Sequence, residues 1–145
     1  MSVQVPASIS AETVEEISEA RDEPEWLLER RLSALEALDD LELPDVIQTP
    51  GRRWTNLEEL DFETLVDPLD QSDSTERVDA EGAEVLSFVD ALDEHADLVE
   101  EHFGSIVDAE ENYLTALSAA LFTTGTVVYV PEGVDAEDIQ IRAEM

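Results

Sequence analysis

The sequence predicts an α+β chain, a mainly helical region over residues 1–124 that leads from Gly125 into β structure over 125–145. Three observations carry this reading. Apolar residues recur with helical spacing in two segments, as Leu28, Leu32 and Leu35 within 22–38 and as Leu114, Leu117 and Leu121 within 111–122. After Gly125 the pattern changes abruptly to Thr126-Val127-Val128-Tyr129-Val130, a β-branched and aromatic run. Leu, Ile, Val and Phe together exceed a quarter of the residues, above the roughly 20 % below which a highly charged chain stays disordered.

Along the chain, residues 1–8 carry little pattern and are expected to fray. Ser10 suits the N-cap of a first helix running to about Ala20, with Val14 and Ile17 on one face. Residues 22–38 form the strongest local signal. Asp22 with Glu25 resembles a capping box, Pro24 suits the first turn, and the leucine stripe leaves Arg30 and Arg31 on the opposite, polar side. Pro44, Pro50 and Gly51 make 41–55 an irregular connector, and Asn56 with Glu59 can open a short helix through Leu60. Residues 67–79 are polar and rich in turn formers, the best stretch for a mobile loop. The run 85–89 fits a strand or a helix. Two short helices are expected at about 90–95 and 97–103, the second stopped by Gly104, and another at 111–122. Pro131-Glu132-Gly133 predicts a type I turn after the first strand, and Ile139-Gln140-Ile141 alternates like a second strand. A helical region that ends in two such strands looks like the first coil of a larger β structure.

The charge excludes whole classes of function. The chain has 38 acidic and 7 basic residues, all arginine, for a net charge of −31. The acids occur as singles and doublets interleaved with apolar residues, which describes an acidic surface over a core. Nucleic-acid binding rests on neutralising phosphates with Lys and Arg, so DNA, RNA and anionic lipid are all repelled, and Arg52-Arg53-Trp54 is too small a cluster to reverse that. No stretch approaches the ~20 apolar residues of a membrane span, and the N-terminus lacks the basic and apolar regions of a signal peptide. No membrane is expected as a partner, and the expected location is the cytoplasm. With no cysteine, disulfides, thiolate metal sites and cysteine nucleophiles are excluded within this chain. Self-repulsion of this size is relieved when salt shortens the Debye length to ~3 Å at 1 M, so a halophilic, haloarchaeon-like source is expected.

Chemical motifs are weak by comparison. With so many carboxylates, paired acids single nothing out. Asp70 to Glu81 copies a calcium loop only at its ends, with Thr75 where the turn needs glycine. There is no Walker A motif, no G-x-G-x-x-G and no G-x-S-x-G. His95 and His102, near Glu94, Asp97 and Glu101, lie wider apart than the i, i+4 spacing metal sites favour. A carboxylate/His metal-dependent hydrolase therefore remains the weaker alternative, beside an independent acidic protein-interaction module. Trp26 and Trp54 are read as core before interface anchors.

Two stretches together carry a resemblance. Residues 16–38 contain Glu23-Pro24-Glu25-Trp26 followed by Arg31-Leu32-Ser33-Ala34-Leu35. Residues 92–134 contain an acidic and apolar helical pair, then Ala116-Leu117, Ala120, Gly125 and Tyr129-Val130-Pro131-Glu132-Gly133-Val134. In this order they resemble the N-terminal helical signature and core entry of the SufB/SufD proteins of iron–sulfur cluster assembly. Segment 41–62 and the absence of cysteine favour the SufD branch. The resemblance implies a helical N-terminal region followed by a right-handed parallel β-helix, truncated here after its first coil. It also implies a non-catalytic scaffold component whose partners are a SufB-type paralogue and a SufC-type ABC ATPase. That complex would handle an iron–sulfur cluster and use ATP through its ATPase subunit. No catalytic, cofactor-binding or metal residue is carried over, because the family's cluster residues lie beyond Met145. The signature residues, Glu23, Pro24, Trp26, Arg31, Leu32, Leu35, Ala116, Leu117, Ala120, Gly125, Tyr129, Val130, Pro131 and Gly133, are expected to be structural. The isolated chain is expected to self-associate through its β edge, or to fray after Gly125.

Overall fold

A computed structural model describes residues 9–44, 46–47, 55–56, 77–80 and 82–137. The described elements are α1 (Ala11–Ala20), α2 (Glu25–Ala37), β1 (Val46–Ile47), β2 (Thr55–Asn56), β3 (Val78–Ala80), β4 (Ala83–Ser87), α3 (Phe88–Glu94), α4 (Ala96–His102), α5 (Tyr113–Leu121) and β5 (Thr126–Tyr129). The fold is α+β, as expected. Its sheets are two small antiparallel ones, β1-β2 and β3-β4-β5.

Ser10 caps α1, its hydroxyl accepting the Thr13 N–H at 3.3 Å, and Val14 and Ile17 are fully buried. The end of α1 differs from the expectation. Asp22 does not open α2; it sits at φ 51, one residue past the Arg21 C-cap of α1. Its N–H reaches Glu19 O and the Glu23 N–H reaches Ser18 O, the pair of bonds that closes a Schellman cap. Pro24 then stands at the N-cap of α2, with no side-chain cap.

The buried stripe of α2 is also displaced by one residue from the leucine pattern. Leu27, Arg31, Ala34 and Leu38 are buried, while Leu28, Leu32 and Leu35 lie half-buried on the flank. Because both stripes meet apolar neighbours, α2 touches all three clusters of the core. One joins Ile17 and Ala120, one joins Leu27, Leu86 and Phe88, and one joins Leu38, Tyr113 and Ala116. Its widest contact is with α5, where Ala116 and Ala120 are fully buried and their small side chains let the helices approach. Asn112 caps α5 in a reciprocal box with Thr115.

The segment 85–89 resolves into both alternatives, because Ser87 ends β4 and caps α3, accepting the Asp90 N–H at 3.0 Å. The end of the polar 67–79 stretch is strand instead of loop. Val78 pairs with Val85, and Gly82 turns the hairpin at φ 93, a conformation glycine adopts without strain. Gly104 follows α4 at φ 75 as the expected stop. The turn after β5 falls one residue later than expected, with Val134 N–H donating to Pro131 O and Gly133 at φ 83, as a type II turn requires. Asn56 closes β2; the expected helix through Leu60, the loop residues 67–76, Trp54 and the second strand at 139–141 lie outside the described residues. Among the described residues no helix is long and apolar enough to cross a membrane.

Burial of Tyr113 on α5 pushes its phenol above the ordinary range. The folded state therefore favours the neutral form. Its contribution is intact below the unfolded value near pH ~10 and is lost as pH rises through the higher folded value. Tyr113→Phe should flatten the alkaline limb of a melting-temperature profile; an unchanged limb would place the alkaline sensitivity elsewhere.

Candidate functional site

Of the signature residues, Glu23, Arg31 and Ala120 meet in one buried joint between α2 and α5. Glu23, held in place by the α1 cap, presents its carboxylate to Arg31, two turns along α2. The guanidinium donates through Nε to Glu23 Oε2 at 2.7 Å and through Nη2 to Oε1 at 2.6 Å, a bidentate pair. The two side chains are 0 % and 2 % exposed. The remaining Arg31 nitrogen, Nη1, donates to Ala120 O at 3.1 Å, one of the carbonyls a helix leaves unpaired in its last turn. A cation there also meets the negative end of the α5 dipole. The Arg31 guanidinium carbon lies 3.9 Å from the centre of the Phe122 ring, within cation–π range. One side chain thus caps α5, faces Glu23 and covers an aromatic ring. The expectation that Arg31 lies on the polar side of its helix is overturned, because these partners replace the water an arginine would otherwise need.

Phe122 belongs to an aromatic cluster, with ring centres 5.3 Å from Phe88 and 5.6 Å from Phe103. Trp26 packs half-buried on Phe103 at 6.0 Å, so its expected core role holds in part. Leu32, Leu35 and Leu117 pack around Ala34 and Ala120. Gly125 has its own requirement, since a Cβ there would lie 3.1 Å from Phe88 Cβ. The Phe88 N–H also donates to Gly125 O at 2.8 Å, fixing the point where β5 begins. Tyr129 stacks on His95 at 4.5 Å and pairs in register with Glu84. Val130, Pro131 and Gly133 continue into the turn, away from the joint. Phe88, Phe103 and Phe122 were missed from sequence, although three phenylalanines near the ends of expected helices were a usable signal.

The two histidines do not share a helix face, because the helix breaks at His95, the C-cap of α3 and N-cap of α4. His95 Nε2 meets Glu84 Oε2 at 2.8 Å. His102 lines a separate groove beside Phe103. Among the described residues no three His, Asp or Glu side chains converge as metal ligands. Nearby on the surface, the hydrogen bond from Arg77 holds the Glu94 carboxyl below its ordinary range. The groove, of about 710 Å³, is bounded by α2, the 103–112 loop, α5 and the start of β5.

A family profile described as the SufBD protein N-terminal region matches residues 53–141. The iron-sulfur cluster assembly protein SufD of Bacillus subtilis is 29 % identical over 94 % of this chain and 39 % of its own length. An iron-sulfur cluster assembly SufBD family protein of Synechocystis is 28 % identical over 90 % of this chain and 36 % of its own length. SufB of Bacillus subtilis is 24 % identical over 89 % and 36 %. The chain therefore spans well under half the length of these relatives. With a matching profile over more than half of its residues, the chain belongs to the SufB/SufD family and carries that family's N-terminal region.

Proposed function

We propose that this chain supplies the N-terminal part of a SUF-type scaffold for iron–sulfur cluster assembly, on the SufD side of the family, in a halophilic cytoplasm. In this reading it packs and positions; the cluster is cargo handled elsewhere in the complex, and ATP is used by the ATPase subunit. Its partners are a SufB-type paralogue and a SufC-type ABC ATPase. The observation that carries the reading is the joint itself, whose Glu23–Arg31 pair and Ala120 contact tie together two signature segments far apart in sequence. The role of that joint is to fix the angle at which the chain enters β5.

In this reading the chain continues from a boundary at 124/125 into stacked β coils of right-handed parallel type, although the described sheet is itself antiparallel. Leu86 and Val127 pack inward, while Val78, Val85 and Val128 form a cross-strand row on the other face. Val78, Val128 and Val130 are substantially exposed there. β5 is the last strand of its sheet among the described residues. An apolar outer face and an open edge fit further coils, since a β-helix buries a continuous core only when several coils stack.

The test is copurification of the tagged natural protein from its own cells, together with iron–sulfur enzyme activities after its depletion. Coelution of a SufB-type paralogue and an ABC ATPase, with falling iron–sulfur enzyme activity, is the expected result. A protein that elutes alone and whose depletion leaves those activities intact would overturn the assignment in favour of an independent acidic module.

A further inference from the structure

We propose that the groove beside the joint receives a basic amphipathic segment of a partner protein. Its wall is apolar, formed by Phe103, Ala119, Phe122 and Val127, and its rim carries Ile106 and Val107. Ile106 is 95 % exposed and Val107 57 %. An adjacent aliphatic pair left in water beside an apolar groove marks a contact surface, the more so on a chain whose exposed positions are mostly acidic.

Charge identifies the occupant. Asp108 and Glu110 also line the groove, and neither meets a cation among the described residues. Among the described residues, Asp108 Oδ1 accepts the Glu110 N–H, at 2.9 Å. The described arginines are engaged by other groups, and Arg30 itself lines the groove. Arg30 donates to Phe103 O and lies over the Trp26 ring, Arg31 is held by Glu23, and Arg77 is held by Glu94. A partner with lysine or arginine at its borders would supply the cations that these two carboxylates lack among the described residues. A second copy, at −31, supplies few, and anionic membranes or nucleic acid supply none. A segment with leucine-like residues on one face and lysine or arginine on its borders satisfies both parts of the groove. Contact ion pairs at the rim persist in strong salt better than long-range attraction does, and salting-out anions would strengthen the apolar part.

The experiment titrates the full chain, in KCl sufficient to hold its native circular dichroism, with a fluorescein-labelled amphipathic peptide of leucine and lysine in helical period. A leucine–glutamate counterpart serves as control. Binding of the lysine peptide alone is expected, with amide shifts confined to 103–110 and 118–127. Ile106→Asp, at a site too exposed to affect folding, should weaken it about tenfold. Asp108→Asn with Glu110→Gln should weaken it about threefold, the asparagine keeping the acceptor for the Glu110 N–H. Equal binding of both peptides would overturn the proposal. So would an Ile106→Asp variant that binds unchanged with shifts scattered over the surface, since that is general attraction to a polyanion. Sedimentation showing that Ile106→Asp dissolves a homodimer would assign the groove to a second copy and overturn it equally.

Discussion

Arg31→Met should destabilise the fold by about 3–5 kcal/mol, the cost of leaving one member of a buried ion pair without its partner. The magnitude follows from what the substitution strands. The Glu23 carboxylate is 2 % exposed, so water cannot replace the two hydrogen bonds it loses. Ala120 O loses its donor as well, and the Phe122 ring loses the guanidinium above it. Arg31→Lys should fall between the variant and the natural protein, because a lysine keeps the charge but neither the bidentate fork nor the planar stacking. Glu23→Gln with Arg31→Met should recover much of the loss, since removing both charges of a buried pair is often close to neutral. Urea unfolding at fixed KCl measures these proteins together with Glu23→Gln alone, and the double-mutant cycle isolates the pair. A loss below ~1 kcal/mol for Arg31→Met would mean the pair behaves as a solvated surface bridge. The joint would then not set the entry angle of β5.

That pair also marks where sequence reasoning runs out. The periodicity of α2 was legible, but a leucine stripe at 28, 32 and 35 pointed one residue away from the most buried line. Arg31 sits in the middle of that line, between Leu27 and Ala34, and a charged residue argues for the solvent face unless its partners are known. Those partners are Glu23, eight residues earlier, and Ala120, far along the chain; neither contact has a local signature. Asp22 misled for a related reason. Its side chain suits an N-cap, and the same residue type also tolerates the left-handed backbone that ends the preceding helix. By contrast, Ser10, Gly104 and the change of character at Gly125 were read correctly, because caps and β-branched runs act through neighbouring residues alone. β3 was hidden, with Val78 its one large apolar residue in a polar stretch and Gly82 its only turn signal. At the candidate site, the signature residues could be named by resemblance, but the groove could not. It is assembled from four elements whose spatial relation is a property of packing.

The largest expected effect is salt dependence. At −31, folding brings like charges together, and their repulsion acts over a Debye length of ~10 Å at 0.1 M salt but only ~3 Å at 1 M. The fold should hold its helical circular dichroism above about 1 M KCl and lose it toward about 0.1 M. Sucrose at matched osmolality should not substitute for KCl, because it strengthens burial by exclusion without screening charge. The buried pair should follow a different rule. Screening reaches exposed charges and hardly touches a pair from which water and ions are excluded, so the destabilisation by Arg31→Met should be equal in 1 M and 3 M KCl even as the stability of both proteins rises. If the loss instead shrinks with salt, ions reach Glu23, and the joint is open. A helical spectrum kept at 0.1 M KCl would mean the packing around α2 outweighs the surface repulsion unaided. The acidic composition would then no longer argue for a saline cytoplasm.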